Sequence, residues 1–204
     1  MKFMSALIIF SFFLFSCSEK PEIIIEDPVP SDGQHVDISV VLGQFIPDGY
    51  EILDSMPEDI NGDGTADMLL ILKHKDEGNI DDEMLFNAPR PFILLTGNSD
   101  RTFSFAARND NVILCQKCGG AVGDPYVSAF VEDGKIIVDH FGGASWRWSK
   151  TAIFEYNSSE SRWVLAEYIR ESYHPSDPVQ VQTVHKTKKD FGLVYFEDFN
   201  IYDE

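Results

Sequence analysis

The sequence predicts a mainly β protein: antiparallel sheets and hairpins in a sandwich-like or partial-propeller-like arrangement, with little helix. Three observations point there. From about Val36 onward, short apolar runs alternate with Gly, Asp, Asn and Pro, and uninterrupted repeats at helical spacing are few. Met68 to Leu72 and Pro91 to Leu95 are apolar at nearly every position, the pattern of strands buried on both faces. Asp133-Gly134, a pair that tolerates positive φ, separates two further β-type segments and suits a two-residue hairpin turn.

Taken in order, Val36 to Phe45 suits one short helix. His74 to Ala88, with Asp76, Glu77, Asp81, Asp82 and Glu83, reads as a polar, solvated loop between the two apolar strands. Gly97-Asn98-Ser99-Asp100 turns the second of these into Thr102 to Ala106, which alternates as a half-buried strand does. Tyr126 to Glu132 and Lys135 to Phe141 flank the Asp133-Gly134 turn. Thr151 to Tyr156 and Arg162 to Ile169 form another pair around the polar loop Asn157 to Ser161. Residues 36–204 therefore read as a single β-rich domain. At 44% hydrophobic residues the chain of 204 can bury a sizeable core, which excludes disorder throughout. Thirty-four acidic against 16 basic residues give a formal charge of -18, which repels a phosphate backbone and excludes a general nucleic-acid binder.

The first 16 residues carry a short positive start, Met1-Lys2, then an apolar run from Phe3 to Phe15 that is too short to span a bilayer. This order reads as a secretory signal peptide. Leu14-Phe15-Ser16-Cys17 resembles a bacterial lipobox, which implies cleavage before Cys17 and lipidation of that residue. The expected location is the bacterial cell envelope, anchored by lipid on the periplasmic or surface face of the outer membrane. Residues 17–35, with Pro21, Pro28 and Pro30 among acidic residues, read as the tether.

Between Asp59 and Asp67 oxygen side chains recur at alternate positions: Asp59, Asn61, Asp63 and Asp67, with the Thr65 carbonyl between them and Gly64 at the sharp turn. Hard oxygens at this density suit calcium, and magnesium less well because of its strict octahedral demand. The twelfth position from Asp59 is Leu70 rather than Glu, so this is not an EF-hand. The spacing, with an apolar strand immediately after Asp67, resembles the calcium loops of FG-GAP or VCBS repeats over Pro57 to Lys73. A second copy is absent from the sequence, which argues against a full propeller. An Asx-rich turn without metal is the plainer alternative. The block from Arg108 to Trp148 also resembles a segment of uncharacterised secreted or lipid-anchored bacterial proteins, a resemblance that brings no activity with it.

Cys115 and Cys118 are spaced C-x-x-C before Gly119-Gly120, and an exported pair most simply forms one disulfide. Zinc would need two further ligands, with His140 the nearest candidate and His35, His74, His174 or His185 its partner; no spacing demands them. Cys118, His140 and Asp124 or Asp139 would be the members of a Cys-His hydrolase. Trp146 and Trp148, at period two, can offer one face to a glycan or protein ligand, with His140 as a further candidate contact, or can fill a β core with Trp163 packed beside them, and the core is the expected place of at least one of the two. The sequence thus leaves two functions to weigh. One is a lipid-anchored binding or structural module stabilised by calcium. The other is a secreted hydrolase.

Overall fold

The computed structural model describes residues 38–78 and 88–203, and the unit from Val36 to Glu204 folds into two antiparallel sheets. The signal segment, Cys17, the tether, His35 and the acidic residues Asp81, Asp82 and Glu83 lie outside the described residues. After a short helix α1 (Ile38–Gly43), the first sheet is a meander of β1 (Tyr50–Glu58), β2 (Asp67–His74), β3 (Arg90–Gly97) and β4 (Phe103–Ile113). The second continues in the same way through β5 (Tyr126–Glu132), β6 (Lys135–Gly143), β7 (Arg147–Asn157), β8 (Arg162–His174) and β9 (Asp177–Thr187). A one-turn helix α2 (Lys188–Phe191) and a 3₁₀ turn (Phe196–Asp198) follow. Neither sheet closes into a barrel, and the sandwich rather than the propeller arrangement is realised.

The apolar patterns explain the layers. Alternate residues of β2 and β3, such as Leu69, Ile71, Phe92 and Leu94, meet Val138, Ala152, Phe154 and Leu165 of the second sheet in the main core. Their neighbours Met68, Leu70, Leu72, Ile93 and Leu95 fill a second core on the opposite face, with Leu42 of α1 over it. Burial on both faces is why these strands read as continuous apolar runs. After β9 the chain returns to the main core, where Phe196 and Phe199 pack edge-on against Phe154. Asn109 on β4 donates from Nδ2 to the Phe199 carbonyl at 2.7 Å, and Ile201 N–H donates to the Asn111 carbonyl.

β1 and β9 are edge strands. β1 carries Glu51, Asp54, Pro57 and Glu58 and a bulge between Ile52 and Asp54, features that keep an open edge from pairing with another chain. β9 starts with Asp177-Pro178 and has a register break opposite Ser172 and His174, so its regular pairing with β8 runs from Gln182 to Thr187.

Candidate functional site

Two polar sites lie at the sandwich. The first is the loop 59–67. Asp59 accepts from the backbone N–H groups of Gly62 and Gly64 (2.8 and 2.9 Å), Asn61 Oδ1 from Asp63 N–H, and Asp63 Oδ1 from Thr65 N–H (2.7 Å). Gly62 and Gly64 sit at φ 79° and 84°, the left-handed region that a side chain disfavours, and this lets the chain coil around the Asp59 carboxylate. The Thr65 hydrogen bond holds the exposed Asp63 carboxyl below its ordinary range.

Asp67 stands apart from these three. Its carboxylate is buried and accepts Ile60 N–H at one oxygen (3.1 Å) and Gly97 N–H at the other (2.8 Å). Burial raises its pKa against the lowering effect of those two donors. Gly97 is required here, because a Cβ would overlap the Ala66 carbonyl. Ile60 is 1% exposed and sits in the main core, and its carbonyl accepts the Trp163 Nε1–H from β8 at 3.2 Å. The loop is therefore fastened to β3 through Asp67 and to the second sheet through Ile60. Its donor set is all oxygen, which fits a hard cation at Asp59, Asn61, Asp63 and Thr65. Among the described residues no three His, Cys, Asp or Glu side chains gather as a metal group.

The second site is built around Arg90 at the start of β3. Its buried guanidinium reaches Glu77, Asp124 (2.7 and 2.6 Å) and the Leu114 carbonyl (3.2 Å), using every side-chain nitrogen. Burial alone would lower its pKa, but the hydrogen bonds it donates to Asp124 and Glu77 outweigh that and raise the value. Glu77 is thereby corrected: the sequence placed it in a solvated loop, yet its side chain is only 3% exposed because it closes on Arg90.

Around this ion cluster lie the other sequence-predicted residues. Cys115 and Cys118 form a disulfide, and Cys115 N–H donates to the Tyr202 hydroxyl. His140 is buried on β6 with Nε2 accepting from Leu114 N–H at 3.2 Å, which leaves Nδ1 as the protonated nitrogen. Burial, then the charges of Lys150 and Arg90, depress its pKa to about 3, so the ring is neutral. Asp139 faces the other side of β6 and accepts from the Thr151 hydroxyl. The glycine pairs have a packing role: Gly143 N–H donates to the Gly119 carbonyl, and the Trp148 indole lies directly on Gly142. Tyr126 donates to Asp54 Oδ2 at 2.7 Å and ties the two sheets; burial, then that bond, raises its phenol pKa.

The structure separates the two tryptophans. Trp148 is half-buried against the main core, whereas Trp146 precedes β7, is 51% exposed and meets the His174 ring edge-on at 5.6 Å. Trp163 packs on Tyr156. Sequence reasoning missed Arg90, Glu77 and Tyr126; a lone Arg opening an apolar strand is the one signal that could have drawn attention to the cluster. No protein-family model matches the chain, and neither a curated protein nor a solved structure matches it.

Proposed function

We propose that this chain is a non-catalytic binding module of the bacterial cell envelope, anchored by lipid at Cys17, whose β sandwich is stiffened by calcium at the loop 59–67. The observation that carries the reading is Ile60. It belongs both to the cation loop and to the core, so a cation that orders Asp59, Asn61, Asp63 and Thr65 acts on the packing of both sheets. Asp67 then serves as the pin between the loop and Gly97. Three exposed or buried carboxylates within nine residues repel when empty, and a divalent cation converts that repulsion into coordination.

The hydrolase reading has less support. Cys118 is held in the disulfide, His140 Nε2 faces a backbone amide, and the Asp124 carboxylate is spent on Arg90. A nucleophile, a base and its orienting acid would have to leave three structural partners at once.

The test combines titration calorimetry with thermal melts of the purified protein in calcium and in chelator. Calcium at about 100 times its dissociation constant is expected to add roughly 2.7 kcal/mol through linkage, and Asp63→Ala to remove that response. Absence of calcium heat with superimposable melts would reduce the loop to an Asx-rich turn. For the anchor, Cys17→Ser is expected to move the protein out of the membrane fraction. Unchanged fractionation with an unmodified N-terminus would contradict that part.

A further inference from the structure

A cavity of about 440 Å³ lies beside the turn that joins β3 to β4, lined by Thr65 and Ala66 from the loop 59–67 and by Ser99, Arg101, Thr102 and Phe103 from the turn. That volume falls in the usual range of small-molecule sites. Its walls are fixed by backbone contacts. Gly97 N–H bonds the buried Asp67 carboxylate, and Gly97 lies so close to the Ala66 carbonyl that no Cβ fits between them.

The turn itself carries an unusual residue. Arg101 N–H donates to the Asn98 carbonyl (3.0 Å), Asn98 N–H donates to the Thr102 carbonyl (2.9 Å), and Arg101 takes φ 67°. In such hairpins a left-handed residue closes the turn, a place that glycine fills without strain. Among the described residues the other non-glycine residues at positive φ are Asp133 and Ser161, both short and polar. A long cation here costs backbone energy that glycine would avoid. The neighbouring polar side chains all serve the turn: Asn98 Nδ2 donates to the hydroxyls of Thr102 (2.9 Å) and Ser104 (3.1 Å), and the Thr102 hydroxyl donates to Asp100 Oδ1 (2.6 Å). Ser99 and Arg101 do not. Both are exposed, and among the described residues neither side chain takes part in a hydrogen bond or ion pair. The strained position is thus held by a guanidinium that contributes nothing to the turn and lines a cavity.

We propose that this cavity binds a small monocarboxylate with an apolar body, the Arg101 guanidinium taking the carboxylate, the Ser99 hydroxyl assisting at the rim, and Phe103 and Ala66 covering the body. The inference rests on the binding-module reading and gives it a ligand class. A planar guanidinium matches the two oxygens of a carboxylate. The half-buried Phe103 ring, with the Ala66 and Thr65 methyl groups, favours a ligand of carbon over a polyhydroxylated one. One cation lines the cavity, so a second negative charge would go unmatched in a chain of formal charge -18.

The experiment is proton–nitrogen NMR titration of the purified full chain with phenylpropionate, its neutral analogue phenylpropanol, and galacturonate. Phenylpropionate is expected to shift the amides of residues 64–66 and 97–103 saturably, and more tightly than the other two probes. Arg101→Gly should weaken its binding about tenfold or more while leaving the melting temperature unchanged or higher, because glycine relieves the backbone. Arg101→Lys should fall between the two. Absence of saturable binding, shifts confined to other parts of the chain, or affinity that Arg101→Gly leaves untouched overturns the proposal. So does a melting temperature that falls well below the parent's in Arg101→Gly, which would make Arg101 a structural residue of the turn. Phenylpropanol or galacturonate bound at these amides as tightly as phenylpropionate would overturn the ligand class yet leave the binding-module reading in place, and the calcium melts stand independently of every one of these results.

Discussion

The loop 59–67 and the Arg90 cluster are both polar, and both fasten parts of the sandwich together, but they are assembled in opposite ways. In the loop, most hydrogen bonds join residues two to seven apart, and only Asp67 to Gly97 and Ile60 to Trp163 reach further. In the cluster, Arg90 meets Glu77 thirteen residues before it and Asp124 thirty-four after it, with Leu114 between. The difference teaches where charge is exposed and where it is locked. The loop keeps Asp59 and Asp63 at the surface with their carboxylate oxygens accepting hydrogen bonds from within the loop, whereas the cluster matches its anions to a buried guanidinium.

This contrast sets the order of mutational effects. Arg90→Ala strands Glu77 in a buried site and frees Asp124, so a loss of about 3–5 kcal/mol is expected in denaturant unfolding, the largest in the chain. A loss under about 1 kcal/mol would mean that the cluster is solvated and the contrast false. Asp67→Ala removes the acceptor of two backbone donors and should lose about 2–4 kcal/mol, at about 1–2 kcal/mol for each orphaned group. If Asp67→Ala melts like the parent in chelator, the pin between loop and β3 is not made.

His140 sharpens the comparison through pH. Its folded pKa, about 3, lies below the ordinary 6.5, so the unfolded chain binds the proton first as pH falls. Its contribution is complete above about pH 6.5 and is lost as pH drops toward 3, with a slope of up to about 1.4 kcal/mol per pH unit. His140→Phe should flatten the stability profile over that window relative to the parent; identical slopes would place His140 in contact with water. The smallest effect is expected from replacing Cys115 and Cys118 together by Ser. The bridge spans a separation of only 3 residues and constrains little chain entropy, so about 1–2 kcal/mol is expected by the same unfolding assay. Folding abolished by the double replacement would show that the bridge, not Arg90, organises this site.

How much of this was legible in the sequence follows the same division. The strands β2 and β3 announce themselves because burial on two faces leaves no room for polar residues, and the Asp133-Gly134 hairpin because a turn is a local event. The turn residues Asp59, Asn61 and Asp63 are legible for the same reason, since their hydrogen bonds join residues two to five apart. β1 is not, since an edge strand carrying Glu51, Asp54, Pro57 and Glu58 has the composition of a loop. Glu77 was misread because its partner, Arg90, lies thirteen residues further on at the start of β3. Period two shows that Trp146 and Trp148 share a side and that the core can claim one of them, but not which, because the point at which β7 begins, between them, lies where Trp148 packs on Gly142 and Gly143 bonds Gly119.

The central claim is that the cation loop is coupled to the core through Ile60, and the Trp163 indole N–H reports on it directly because it donates to the Ile60 carbonyl. Proton–nitrogen NMR of the protein during calcium titration should show that indole resonance shifting saturably, together with increased protection of the Ile60 amide from exchange, and both changes should vanish in Asp63→Ala. Calcium that binds at the loop while the Trp163 resonance and the Ile60 protection stay constant would contradict the account, leaving a surface ion site with no hold on the fold.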